Sequence, residues 1–132
     1  LPMRNNPIMQ DLFVRNATDL VGASQLLVRP DTHNGGGSTD MGDLAQIIPL
    51  VHPYCGGATG TGHGADYIIQ DYETAVITAA KSMALTVIDL LAEGAAKAKA
   101  VKETDMPPMT KGQYLSFQRD RAEVVEFDGA KA

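Results

Sequence analysis

Residues 72–94, YETAVITAAKSMALTVIDLLAEG, decide the reading of the fold. Val76, Ala79, Ala80, Met83, Val87, Leu90 and Leu91 recur at the spacing that lines them along one side of an α-helix, and Gly94 follows the last turn. An apolar stripe of that length has to pack on a sheet or on another helix. Beyond it, Ala95 to Glu103 extend the helix with a more polar surface until Asp105-Met106-Pro107-Pro108 break the chain. The stretch ending at Ala132 is predicted to be peripheral, with Tyr114, Leu115 and Phe117 docking a short helix.

Toward the N-terminus the pattern changes. Residues 55–64, Cys-Gly-Gly-Ala-Thr-Gly-Thr-Gly-His-Gly, hold five glycines around His63, a composition that permits close backbone approach at the expense of chain entropy. Before them Ile47 to Pro53 reads as a buried strand, and Ser38, Thr39 or Asp40 caps a short helix over Met41 to Gln46. Asp31 to Ser38 is turn chemistry, and Gln25 to Arg29 is a short strand stopped by Pro30. Asn6-Pro7 reads as an N-cap and first helical position for a helix carrying Ile8, Leu12, Phe13, Ala17, Leu20 and Val21 and closed by Gly22. Strands set between helices give an α/β fold.

A chain of 132 residues with 44% hydrophobic and 20% charged residues can bury one modest core. Eleven scattered Lys and Arg against a net charge of −5 argue against a nucleic-acid partner. The single cysteine, Cys55, excludes an intrachain disulfide, and with no cation beside it in sequence it is expected to be structural and buried. No charged-then-apolar leader precedes the first polar segment, so a reducing, cytoplasmic setting is expected. No membrane span is expected, because Lys81, Ser82 and Asp89 interrupt the best helix. The abrupt Leu1-Pro2-Met3-Arg4 opening suggests a fragment.

Three groups of residues are candidates for chemistry. His63 sits among small residues that leave its imidazole free to turn into a pocket, and neutral imidazole is a common ligand for zinc, nickel or manganese. A catalytic zinc usually takes three protein ligands, and on spacing alone a lone loop histidine is more often a surface residue. His52 interrupts an apolar run, as a satisfied core histidine or as a substrate contact. His33 lies in a polar turn. Asp40 and Asp43 flank a helix start, where carboxylates are favoured without any site role. Gly35-Gly36-Gly37-Ser38-Thr39 lacks the lysine of a phosphate-cradling loop, and residues 57–62 lack the helix and acid of a dinucleotide loop.

Four motifs stand in one order: Gly37-Ser38-Thr39-Asp40-Met41-Gly42-Asp43, Ile48-Pro49-Leu50-Val51-His52-Pro53-Tyr54, Gly60-Thr61-Gly62-His63, and the long helix from Tyr72. That order resembles the C-terminal part of amidohydrolases related to aminoacylase, hippurate hydrolase and aminobenzoyl-glutamate hydrolase, a branch of the two-metal exopeptidase superfamily. The resemblance covers residues 1–94, and residues 95–132 form a helical extension and tail.

The resemblance implies a metallopeptidase-like catalytic domain of helices packed on a mixed sheet, incomplete in this chain. It implies two divalent metals, zinc or manganese, in the complete site. His63 would be one ligand, Asp40 would lie at the pocket rim, and the remaining ligands and the carboxylate base would come from the N-terminal half of the domain. Hydrolysis of N-acyl amino acids or similar small amides by a homodimeric full protein follows, with this chain inactive by itself. In such relatives Ser or Thr often follows the ligand histidine, whereas Gly64 follows His63. The alternative function is a non-catalytic partner-binding module derived from the same fold.

Overall fold

A computed structural model describes residues 1–29 and 39–130. The first helix, α1, spans Pro7–Val21. Asn6 is extended and its side chain accepts the Met9 N–H at 3.0 Å, while Pro7 occupies the first turn, where its missing N–H has no partner to lose. Gly22 at φ 83° ends the helix by donating its N–H to the Thr18 carbonyl. A 3₁₀ turn follows at Ala23–Gln25.

Helix α2, Met41–Leu44, is a single turn whose first N–H, on Met41, is bound by the Thr39 hydroxyl at 3.3 Å. Strands β1 (Ala58–Thr59) and β2 (Ile68–Ile69) pair antiparallel, Ala58 opposite Ile69 and Thr59 opposite Ile68. A π-helical turn at Glu73–Thr78 leads into α3, Ala79–Thr104. Helix α4, Lys111–Arg119, starts with a reciprocal cap in which Thr110 and Gln113 bind each other's backbone N–H groups.

The architecture is mixed and helix-rich, with one small sheet. The strands expected at residues 25–29 and 47–53 do not join a ladder among the described residues. Leu26, Leu27 and Val28 are non-helical and join no strand ladder among the described residues, with Leu27 76% exposed. Leu50 and His52 are bonded instead to residues 5 and 6: the Asn6 N–H donates to the Leu50 carbonyl at 2.7 Å and the His52 N–H to Asn5 Oδ1 at 3.0 Å. A segment of strand composition forms a strand only where another edge is presented to it.

Leu12, Phe13 and Ala17 of α1 form the core with Ala45, Leu50 and Val101. Helix α1 packs along α3, but not on the stripe read from the sequence. The face of α3 that is buried carries Ser82 and Thr86, whose hydroxyls donate to the carbonyls of Thr78 and Ser82 on their own helix. Asn16 of α1 reaches this face, donating to Asp89 Oδ2 at 2.9 Å and to the Thr86 hydroxyl at 3.5 Å. Met83, Val87 and Leu91, about 100° further round the helix, are 61%, 52% and 63% exposed. The expected covering layer is not supplied by the described residues.

Helix α3 is also bent. Ala92 is extended and Glu93, Gly94 and Ala95 are left-handed, so the helix read over 72–93 and its polar extension are two helical runs meeting at an angle. The segment Glu73–Thr104 is nonetheless long and apolar enough, by length and composition alone, to cross a bilayer, so Lys81, Ser82 and Asp89 do not interrupt it as expected. Lys81 and Asp89 are too few to bring the average down, and both are paired, with Glu73 and Arg15.

Candidate functional site

His63 lies in the loop joining β1 to β2. That loop is closed on itself: the Gly64 N–H donates to the Thr61 carbonyl at 2.7 Å, the Tyr67 N–H to the Gly64 carbonyl at 3.2 Å, and the Thr61 N–H to the Asp66 carboxylate at 3.2 Å. His63 is exposed at φ 63°, a left-handed position that is uncommon for a residue with a β-carbon. The glycines serve this closure. At Gly60, φ 91°, a β-carbon would stand 2.3 Å from the Asp66 carbonyl oxygen, and at Gly57, φ 96°, it would stand 2.5 Å from that of Asp71. The close approach permitted by the glycines is therefore made by the chain to itself. Gly64 is equally constrained, since a β-carbon there would meet Asp66 Oδ1 at 2.4 Å.

His52 is half-buried and its ring lies 5.0 Å from that of Tyr54, tilted by 47°. Asp40 is exposed immediately before α2, and its side chain does not cap that helix. Its carbonyl accepts the N–H groups of Asp43 and Leu44. Asp43 is bound instead by the amino group of Leu1 at 2.8 Å and by Gln118 Nε2 at 3.5 Å, and the hydrogen bond from the Leu1 ammonium holds its carboxyl below the ordinary value. His33 and Ser38 lie outside the described residues. Cys55, expected to be buried, is exposed and free, because the segment that carries it runs over the surface without pairing.

Among the described residues no three His, Cys, Asp or Glu side chains gather closely enough to hold a metal ion. His63, His52 and Asp40 therefore do not form a ligand set between them, and the residues present do not fit a self-sufficient metal centre.

A cleft the sequence did not suggest lies between α1 and α3 at the bend, about 190 Å³ and lined by Leu12, Arg15, Asp89, Ala92, Glu93 and Lys97. Arg15 Nη2 meets Asp89 Oδ2 at 3.1 Å. The Asn16 hydrogen bond, then Arg15, hold the Asp89 carboxyl below its ordinary value, so at neutral pH it is a fixed anion that accepts hydrogen bonds and takes up no proton. The cleft shares Leu12, Arg15 and Lys97 with a neighbouring groove of about 350 Å³ that Ile8 and Asp11 also line, and its own acidic and basic side chains are equal in number. It joins two helices. Asp89 stands 73 residues from Asn16, so no local pattern announces the pair. The chain matches no family model, no curated protein and no solved structure.

Proposed function

We propose that this chain is the C-terminal part of the catalytic domain of a metal-dependent amidohydrolase acting on N-acyl amino acids or similar small amides. The observation that carries the reading is the ordered set of four motifs with His63 presented, exposed, on a self-closed loop. A rigid turn with its imidazole uncovered suits a residue that completes a site built mostly by another segment. The Leu26 to Val28 segment, which joins no strand ladder among the described residues, and the uncovered Met83, Val87 and Leu91 face agree with a domain whose sheet is supplied in large part by that other segment.

In this reading His63 contributes one metal ligand, Asp40 lies at the pocket rim and His52 contacts substrate. The divalent metals are held only together with ligands from the N-terminal half of the domain, and the full protein is a homodimer. This chain alone is inactive.

The test is to express the polypeptide with the segment that precedes Leu1, load it with zinc or manganese, and assay N-acetyl and N-benzoyl amino acids. Hydrolysis that disappears in His63→Ala is expected. Hydrolysis undiminished by that substitution, or none on any such substrate, overturns the proposal. A second reading, a non-catalytic partner-binding module, is favoured by the uncovered α3 face together with the absence of a grouped ligand set among the described residues. It requires that the metal-loaded polypeptide leave all these amides intact.

A further inference from the structure

We propose that the bend in α3 is a hinge for arm exchange, through which two copies of this chain form a dimer with residues 96–130 of each packed on the body of the other. This does not rest on the hydrolase reading. The bend holds three successive left-handed residues, Glu93 at φ 51°, Gly94 at φ 67° and Ala95 at φ 62°. Glycine takes that conformation freely, whereas Glu and Ala are strained in it. The surrounding residues, Leu90-Leu91-Ala92-Glu93-Gly94-Ala95-Ala96-Lys97, are strong helix formers apart from Gly94 itself. A straight helix from Ala79 to Thr104 relieves both strained residues.

The bent form is held by what the arm touches. Arg4 pairs with Asp105, Asn6 Nδ2 donates to Asp105 Oδ2 at 2.8 Å, the Met109 N–H donates to the Gln46 carbonyl at 2.9 Å, and Val101 is buried. The body of a second copy offers each of these partners unchanged. In the straight helix the arm advances along the axis by about 1.5 Å per residue, away from Arg4 and Asn6 of its own chain. Exchange therefore keeps the bonds, removes the strain at two hinges per dimer, and sets the exposed Val87 and Leu91, which adjoin the hinge, beside the second copy.

Hinge variants read this by sedimentation equilibrium of the 132-residue chain. Gly94→Ala disfavours the left-handed residue and favours the straight helix, so dimerisation should strengthen by roughly one to two orders of magnitude. Ala95→Gly relieves the bent form and should weaken it by about tenfold or more. In a Cys55→Ser background, mixing chains that carry only Pro7→Cys with chains that carry only Met106→Cys, beside Asn6 and Asp105, should give an interchain product with a short bismaleimide, more of it with Gly94→Ala.

Association through the exposed helix face alone would leave dimerisation unchanged by both hinge variants and give no such product, which overturns the proposal. A chain that stays monomeric with Gly94→Ala at every concentration overturns it as well.

Discussion

Asn16 Nδ2 lies 2.9 Å from Asp89 Oδ2, and this bond fixes which side of α3 faces α1. Asn16 is buried on the inner side of α1, so α3 must offer it polar partners, and Thr86 and Asp89 are those partners. An unpaired buried amide is costlier than exposed apolar side chains.

Replacing Asn16 by Ala removes the bonds to Thr86 and Asp89. Stability should fall by about 1–3 kcal/mol, read as a shift of the urea midpoint. Unchanged stability would mean that α1 and α3 are held together by their apolar contacts alone.

Acid should loosen the same contact. The Asp89 carboxyl lies below its ordinary value when folded, chiefly through Asn16 and then Arg15, so its contribution is fully present above the ordinary carboxylate range near 4 and is lost as pH falls through the folded value. Asp89→Asn should therefore be less stable than the parent at pH 7, with the gap closing toward pH 3. Parallel stability curves across that interval would contradict this role.

The loop of His63 depends on Gly57. Its carbonyl accepts the N–H groups of Gln70 and Asp71, and a β-carbon on it would stand 2.5 Å from the Asp71 carbonyl oxygen and 2.9 Å from the Ala75 nitrogen. Gly57→Ala should open the hairpin at a cost of about 1–3 kcal/mol. The check is faster amide exchange at Gln70 and Asp71 than in the parent, while α1 keeps its protection.

The uncovered face of α3 should make the isolated chain sticky. Val87→Lys with Leu91→Lys places charges where those side chains are already solvent-exposed, so helical circular dichroism should be kept while binding of a hydrophobic dye falls severalfold. Loss of helicity in the pair would show that this face is buried in solution.

Local signals were legible where the physics is local. Asn6-Pro7 and Gly22 bound α1, and Asp105 with the following prolines ends α3, because a cap or a missing N–H acts within one turn. The site was legible only as a list. His63, His52 and Asp40 are each identifiable as candidates, but their type and spacing do not show whether they converge, and no ligand set is formed among the described residues.

By itself the sequence determined the helices, the glycine positions the hairpin requires, and the order of motifs that suggests an amidohydrolase. Tertiary structure alone decided that α3 turns its Ser82 and Thr86 side inward and leaves Met83, Val87 and Leu91 outside. It also decided that the segments of strand composition at 25–29 and 47–53 join no sheet among the described residues. Periodicity specifies a face and composition specifies a strand, but what covers the face and pairs with the strand is fixed by residues distant in sequence, here Asn16 for one and no described strand for the other.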